Sequence, residues 1–324
     1  MDYQEKSKET LQFYQLLTEG TVIRSTGSWY LVRLDDAQML ECRLRGQYRL
    51  KDQRNTNPVA VGDKVMVDIQ GDGNGLIMEV GERHNHIIRK ATRLSKASHI
   101  IAANLDQALL IATINQPRTT AGFIDRFLVT AEAYHIPAVL VFNKLDLYSE
   151  KEMAILEHMT GVYEQAGYPV VQVSAVTGHQ IALFVELMKD KISLLTGHSG
   201  VGKSALLNAA DPQLKIKTGT ISKFSNKGKH TTTFAEMHEL GFGGWIVDTP
   251  GIKEFGLYDF ERETLAQRFP EMRKLMHACR FTNCTHVHEP DCAVKNALEN
   301  NIIPASRYRS YLNMLNNDFS DENY

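Results

Sequence analysis

The sequence has no segment that would carry the chain into or across a membrane. Its first ten residues, MDYQEKSKET, lack both the basic start and the apolar stretch of a signal peptide. No uninterrupted apolar run approaches the roughly 18 residues that a membrane-spanning helix needs. We therefore expect a cytoplasmic protein without a membrane partner.

Neither sign of charge is in excess. The chain has 36 Lys and Arg against 38 Asp and Glu, a formal net charge of −2. The overall charge therefore gives no argument for nucleic-acid binding, but the cations are clustered. Residues 43–54, 83–96 and 214–229 carry five cations each. Taken singly, each run is typical of a solvated face.

Internal repeats and low-complexity segments are also lacking, so the 324 residues predict two or three ordinary globular domains. Short β-prone segments separated by turns such as GDGNG predict a small β-barrel over residues 20–88. From about residue 105, apolar runs such as ALLIATI and AVLVFN alternate with helical stretches, which predicts a largely parallel sheet covered on both faces. After about residue 260 the chain is helix-like.

A phosphate-binding loop is present at GHSGVGKS, which satisfies G-x-x-x-x-G-K-[ST] between an apolar strand and a helix. Its backbone amides and the helix N-terminus can bind phosphate oxygens. Lys203 can reach the terminal phosphates, and Ser204 can ligate Mg²⁺. The predicted loop residues are Gly197, His198, Ser199, Gly200, Val201, Gly202, Lys203, Ser204 and Ala205.

The tetrapeptide NKLD indicates guanine rather than adenine. The Asp146 carboxylate can accept from the ring N–H and the exocyclic amine of guanine together, whereas adenine has no such donor pair. Alone, NKLD could equally cap a helix. The next strand ends in SA, where a backbone amide can donate to the guanine carbonyl. The predicted guanine site comprises Asn143, Lys144, Asp146, Ser174 and Ala175.

Two further motifs complete a nucleotide site. DTPG, at residues 248–251, offers Asp248 for the Mg²⁺ shell and the Gly251 amide for the γ-phosphate. GKHTTT, at residues 228–233, offers a threonine hydroxyl to Mg²⁺. We choose Thr232 there, with Thr231 and Thr233 as rivals. Mg²⁺ is thus predicted to bind Ser204, Thr232 and Asp248, with Lys203 and Gly251 stabilising the transferred phosphoryl group.

Cysteine is scarce, and its placement predicts a metal site. Cys42 stands alone, whereas the other three of the four cysteines fall within fourteen positions. This spacing argues against a disulfide framework. Three thiolates and one imidazole form a closed, structural zinc site. The predicted ligands are Cys279, Cys284, Cys292 and a histidine, and spacing allows His286 or His288.

The order of the motifs is permuted. Asn143 lies 54 residues before Gly197, although NKxD follows DxxG in ordinary P-loop GTPases. With a barrel before and a Cys/His segment after, the chain resembles the RsgA family, the circularly permuted GTPases of small-ribosomal-subunit maturation. The sequence departs from the expected pattern at His198 and Ala205, but neither change removes a phosphate-binding side chain.

The resemblance implies a multidomain protein. Residues 1–95 would contain an N-terminal OB-fold β-barrel, 96–258 a central α/β circularly permuted P-loop GTPase domain, and 259–324 a C-terminal, mostly helical zinc-binding domain. It also implies His286 as the fourth zinc ligand. Hydrolysis of GTP to GDP would be slow alone, would be stimulated by the 30S subunit, and would trigger release. The implied partners are the 30S subunit with its 16S rRNA, and no feature indicates an oligomer, so we expect a monomer.

The barrel offers a candidate contact for rRNA. OB-folds bind nucleic acid with cationic grooves and stacking aromatics, and the barrel offers Trp29, Tyr30 and Tyr48, at least one of which we expect in its core.

Ile252 follows DTPG where Ras-like enzymes have a water-orienting glutamine, so we assign that role to His230. The competing hypothesis is an rRNA-binding assembly module whose nucleotide site only regulates affinity.

Overall fold

The computed structural model describes residues 17–46, 58–71, 73–89, 99–214, 235–248 and 262–316, and of residues 89, 99 and 248 only the backbone. The chain divides into two compact units. Among the described residues, the first unit holds 17–105, 235–239 and 245–248, and the second holds 106–214, 240–244 and 262–316. No helix within these ranges has the length and apolar character needed to cross a bilayer. The domain bounds given above stay predictions.

The first unit is built around a five-stranded barrel. Its strands are β1 (Thr18–Ser25), β2 (Tyr30–Leu34), β3 (Met39–Leu44), β4 (Lys64–Ile69) and β5 (Gly75–Val80). They pair in the order β1-β2-β3-β5-β4, with β3 parallel to β5, and β4 returns to pair with β1. A closed five-stranded sheet with one such crossover is the OB-type barrel that the sequence predicted.

The barrel core follows from alternating burial along its strands, which is clearest in β2. In β2 the side chains of Tyr30, Val32 and Leu34 are buried, while the residues between them are partly exposed. Cys42 lies in the same apolar cluster. Burial raises the pKa of this thiol to about 12. The cysteine outside the metal-binding pattern is therefore an inert core residue.

A two-stranded sheet follows the barrel. β6 (His86–Arg89) pairs antiparallel with β7 (His99–Ala103). Asn104 donates to the carbonyl of Gly62 at 3.0 Å, and Asn85 donates to the carbonyl of Leu105 at 2.8 Å. Buried amide side chains thus satisfy backbone groups where the chain leaves the first unit.

The second unit contains a four-stranded parallel sheet. Its strands are β8 (Gln107–Ala112), β9 (Ala138–Phe142), β10 (Val170–Gln172) and β11 (Ile192–Thr196). Their order is β10-β9-β8-β11, and each neighbouring pair is parallel. β8 and β9 are buried along their whole length, as continuous apolar runs in a covered parallel sheet should be.

Four helices accompany this sheet: α1 (Ala121–Ala133), α2 (Glu150–Ala166), α3 (Ile181–Met188) and α4 (Lys203–Ala210). Local signals fix the start of α1 and both ends of α2. The Thr120 hydroxyl accepts from the first turn of α1. Ser149 and Glu152 form a capping box at the start of α2, and Gly167 ends that helix at φ 100°.

The described C-terminal residues, 262–316, contain helices and no strand, as predicted. The helices are α5 (Arg262–Leu265), α6 (Pro270–Arg273), α7 (Ala293–Glu299) and α8 (Ala305–Leu315). Phe269, Met272 and Tyr311 are buried members of their apolar cluster. Val129 of α1 belongs to the same cluster, so the C-terminal helices and α1 share one core.

A last pair of strands belongs to the first unit. β12 (Glu236–Glu239) pairs antiparallel with β13 (Trp245–Asp248). β12 also pairs with β1 at Arg24 and Glu236. The barrel sheet is thereby extended by two strands from a distant part of the sequence.

Candidate functional site

Three of the predicted motifs lie just beyond the carboxyl ends of strands in the same parallel sheet. NKLD follows β9, SA follows β10, and the phosphate-binding loop follows β11. The carboxyl ends of parallel strands lie at one edge of a sheet, where α/β proteins bind their ligands. The chain order of the motifs is therefore immaterial to the site, because strand position brings them together.

The glycines of the phosphate-binding loop are required by their surroundings. Gly197 has φ +141°, and a Cβ there would lie 2.2 Å from the carbonyl oxygen of Ile111 in β8. Gly202 has φ +97°, and a Cβ there would lie 2.4 Å from Nδ2 of Asn143. Only glycine fits either position. The loop is thus shaped jointly by the sheet and by the NKLD motif.

The lysine of the loop is held against the loop itself. Lys203 Nζ donates to the carbonyl oxygens of Gly197 at 2.6 Å and of His198 at 2.9 Å. Ser204 lies in the first turn of α4 and is buried. A positive charge, a hydroxyl and a helix N-terminus therefore lie within three residues, an arrangement suited to phosphate with an associated cation.

Asn143 connects all three motifs. Its Nδ2 donates to the carbonyl of Val201 at 2.9 Å, and its Oδ1 accepts from the amide of Ala175 at 3.3 Å. The side chain is 1% exposed. The Tyr148 hydroxyl donates to the backbone carbonyl of Asn143 at 2.5 Å. Asn143 is therefore a structural element that fixes the guanine-site loops relative to the phosphate-binding loop.

The Asp146 carboxylate, predicted to read the base, is held in place and stays exposed. Ser174 donates through its hydroxyl to Oδ1 of Asp146 at 2.5 Å, and the same oxygen of Ser174 accepts from the amide of Thr177 at 3.1 Å. Asp146 itself is exposed. Lys144 adopts a left-handed conformation with φ 71° and donates from Nζ to the carbonyl of Gln116 at 2.5 Å. The serine of SA thus orients the aspartate of NKLD.

Several predicted residues cannot be placed. His230, Gly251 and Thr232, with its rivals Thr231 and Thr233, lie outside the described residues. Asp248 ends β13, and only its backbone is described. The catalytic and magnesium-binding roles of these residues stay predictions.

Sequence reasoning missed three supporting residues. Tyr148 fixes the backbone of NKLD, and the carbonyl of Gln116 holds Lys144. Phe123 of α1 stacks on His198, with ring centroids 3.9 Å apart and planes at 33°. The contacts of Phe123 and Gln116 join segments far apart in the chain, so no local pattern identifies them. Tyr148 alone had a signal, since it lies two residues after NKLD.

The cysteine cluster has the dimensions of a metal site. Cys279 Sγ lies 3.9 Å from Cys292 Sγ, and His286 Nδ1 lies 3.6 and 3.4 Å from these two sulfurs. All four ligand atoms, including that of Cys284, lie within 4.8 Å of one another. A tetrahedral zinc ion would set sulfurs about 3.8 Å apart and sulfur and nitrogen about 3.6 Å apart. The residues fit zinc.

The structure selects His286 over His288. His286 is fully buried within the cluster, whereas His288 is exposed. The Glu289 carboxylate holds the loop in this conformation. It accepts hydrogen bonds from the amide and hydroxyl of Thr285 and from the amides of Val287 and His288. Although partial burial opposes it, this set of bonds, led by the Thr285 hydroxyl, lowers the pKa of Glu289 to about 2.

Burial sets the protonation of the ligand groups. Burial lowers the pKa of His286 and keeps its imidazole neutral. Burial, together with the neighbouring Cys292 thiol, raises the pKa of Cys284 to about 12. A hydrogen bond from the His286 amide opposes this rise. A zinc ion would supply the positive charge that deprotonates such thiols on binding.

Some cations of the barrel support its fold, and others are exposed to solvent. Arg83 makes two 2.6 Å bonds to the buried carboxylate of Asp63, so it supports the fold. Arg43 is exposed, and its guanidinium carbon lies 4.0 Å from the Trp29 ring centroid. Tyr30 lies in the barrel core, which confirms the expectation that one aromatic is structural. Tyr48 lies outside the described residues.

Comparison with known proteins gives two family matches. Residues 80–258 match the family model described as RsgA GTPase, and residues 19–77 match the one described as RsgA N-terminal domain. Among curated relatives, the small ribosomal subunit biogenesis GTPase RsgA 2 of Bacteroides thetaiotaomicron is 52% identical over 92% of this chain and 96% of its own. The corresponding protein of Flavobacterium psychrophilum is 49% identical over 94% of each chain.

Solved structures agree with these matches. The crystal structure of YjeQ from Thermotoga maritima superimposes with a TM-score of 0.78 at 36% identity, over 94% of this chain and 99% of that one. YloQ, described as a circularly permuted GTPase, gives a TM-score of 0.72 at 27% identity, over 93% and 95% of the two chains. The permuted order of motifs in this sequence is therefore an established arrangement of the fold.

Proposed function

The chain belongs to the RsgA GTPase family, and from this premise we propose that it acts in late maturation of the small ribosomal subunit. In this proposal the protein docks on the 30S subunit with GTP bound, the subunit stimulates hydrolysis to GDP and phosphate, and hydrolysis triggers release. The similarity to a small ribosomal subunit biogenesis GTPase over 92% of the chain is the observation that carries it. A single copy would act in the cytoplasm, where these subunits are assembled.

The nucleotide site supports guanine binding and hydrolysis. Asp146 is exposed and held by Ser174, so its carboxylate can pair with the two guanine donors. Lys203 would exchange its two loop carbonyls for the terminal phosphate oxygens, which carry the developing negative charge. We assign the accompanying Mg²⁺ to Ser204, Thr232 and Asp248, and one structural zinc ion to Cys279, Cys284, His286 and Cys292.

Release after hydrolysis is tested by retention on subunits. We expect the purified protein to co-sediment with 30S subunits more strongly with a non-hydrolysable GTP analogue than with GDP, because only the former supplies the γ-phosphate that orders switch segments. Equal retention in both nucleotides would contradict hydrolysis-driven release.

We also propose that His230 positions the attacking water, because the chain has isoleucine where Ras-like enzymes have glutamine. His230→Ala is expected to lower the subunit-stimulated rate by about 10²-fold or more, the usual contribution of a positioned side chain. GTP affinity, measured in parallel, should stay native. A variant that binds GTP normally and keeps its full stimulated rate would remove His230 from the mechanism.

The barrel would contact 16S rRNA through the pair formed by Trp29 and Arg43. Both groups offer flat surfaces on which a base can stack, and a stacked base contributes about 1–3 kcal/mol. Arg43→Ala should therefore weaken 30S binding about 5-fold or more. Arg24→Ala is the matched control, because Arg24 is paired with Glu41 at 3.5 Å and Glu236 at 3.7 Å. Equal losses in the two variants would indicate a general charge effect.

A further inference from the structure

Helix α1 touches the phosphate-binding loop at its beginning. Thr120 accepts from the amide of Phe123 at 3.3 Å, which fixes Phe123 in the first turn. The Phe123 ring stacks on His198 at 3.9 Å between centroids. The carbonyl of His198 in turn accepts from Lys203 Nζ at 2.9 Å. The start of α1 therefore contacts the part of the loop that carries the phosphate-binding lysine.

Another side of α1 is bound to the C-terminal helices by a buried ion pair. Asp125 accepts from Arg307 Nη1 of α8 at 2.6 Å and also from the hydroxyl of Ser310. Arg307 Nε donates to Glu271 of α6 at 2.7 Å. Arg307 is fully buried, and Asp125 is 1% exposed. Phe123 and Asp125 are two positions apart, about 200° around the helix, so the two contacts lie on different sides of α1.

Helix α8 makes a second set of contacts, to the metal-binding loop. Tyr308 donates through its hydroxyl to the carbonyl of His286 at 2.7 Å, and Tyr311 donates to the carbonyl of Thr285 at 2.6 Å. The same helix thus holds α1 through Arg307 and holds the predicted zinc ligands through two tyrosines.

We propose that Arg307 is a positioning residue for nucleotide binding: it fixes α1 against the C-terminal helices so that Phe123 keeps His198 and the phosphate-binding loop in the binding conformation. This rests on the proposed nucleotide site. The route runs through packed side chains and one rigid helix, and an energetic coupling between its two ends is the measurement that tests it. Loosening either end would require the loop to be ordered on binding, which lowers nucleotide affinity.

The test is a double-mutant cycle on GDP affinity in the full chain. Phe123→Ala removes the contact with His198. Arg307→Lys keeps the buried positive charge but loses the planar fork that reaches Asp125 and Glu271 together. Arg273→Gln is the matched control. Arg273 also forms an ion pair with α1, at 2.7 Å from Glu132, but this pair lies on the surface near the end of the helix. The probe is N-methylanthraniloyl-GDP with Mg²⁺ held constant.

Each test substitution should weaken GDP binding about 5-fold or more, the lower end of typical coupling between sites. The double variant should bind GDP as tightly as the single variant with the lower GDP affinity, since both substitutions break the same route. Arg273→Gln should stay within about 2-fold of the native chain. A folded Arg307→Lys variant with native GDP affinity, or two effects that multiply in the double variant, would overturn the proposal. Failure of the native chain to bind GDP would instead overturn the nucleotide site itself.

Amide hydrogen exchange tests the coupling between α8 and the nucleotide site even if Arg307→Lys does not fold. By reciprocity, GDP should slow exchange of the α8 amides in the native chain, and this protection should be absent in Phe123→Ala at a GDP concentration that saturates the variant. Unchanged α8 exchange in the native chain, or full protection in Phe123→Ala, would count against the route.

Discussion

Asp146→Asn is expected to weaken GTP binding by about 10⁴-fold and to create affinity for xanthosine triphosphate. The amide side chain no longer accepts from both guanine donors, and one of them is left unpaired. Xanthine has a carbonyl where guanine has the exocyclic amine, so the asparagine NH₂ regains a partner there. Competition of the two triphosphates against a fluorescent guanine nucleotide, followed by direct titration of each, measures the change.

The control for this substitution is Glu157→Gln, which neutralises an exposed carboxylate on α2 away from the motifs. It should leave both affinities native. An Asp146→Asn variant that still preferred GTP over xanthosine triphosphate would show that the base is read elsewhere. Equal losses in the two variants would point to a loss of overall negative charge rather than of a specific contact.

Cys292→Ser is expected to remove bound zinc and to destabilise the C-terminal helices. Cys292 is the N-cap of α7 and is 4% exposed, so its ligand atom is fixed between the metal-binding loop and the shared core. A structural zinc ion contributes folding free energy directly. A loss of about 2 kcal/mol or more would lower Tm by about 3 °C or more for a chain of this size. Zinc per chain by mass spectrometry and Tm by calorimetry give the two readouts.

His288→Ala is the matched control, since His288 lies two residues from His286 and is exposed. It should keep one zinc per chain and a native Tm. Retention of zinc by Cys292→Ser, or its loss from His288→Ala, would contradict the ligand set.

The sequence predicts those parts of the site whose chemistry lies in short, contiguous motifs. The phosphate-binding loop and NKLD could be identified because their spacing itself defines how they bind phosphate and guanine. The barrel was predictable because short β-prone segments are separated by turns such as GDGNG, and the parallel sheet because apolar runs such as ALLIATI and AVLVFN alternate with helical stretches.

Other features depend on tertiary contacts that no local pattern carries. The bond from Asn143 to Val201 spans 58 residues, and the pair of Asp125 with Arg307 spans 182. The choice of His286 over His288 depends on a left-handed backbone at His286, with φ 60°, and on the amides gathered by Glu289. Spacing allowed both histidines, because it fixes chain length between ligands but not the path of the loop.

The most direct test of the account is the steady-state rate of GTP hydrolysis by the purified protein, measured with and without purified 30S subunits. Lys203→Ala serves as the control for contaminating activity, since it removes the ammonium group that we assign to the terminal phosphates. We expect a slow basal rate that 30S subunits stimulate strongly, and neither the basal nor the stimulated rate in Lys203→Ala. A native rate that stays basal while the protein still binds the subunit would contradict it and would favour an RNA-binding module regulated by its nucleotide.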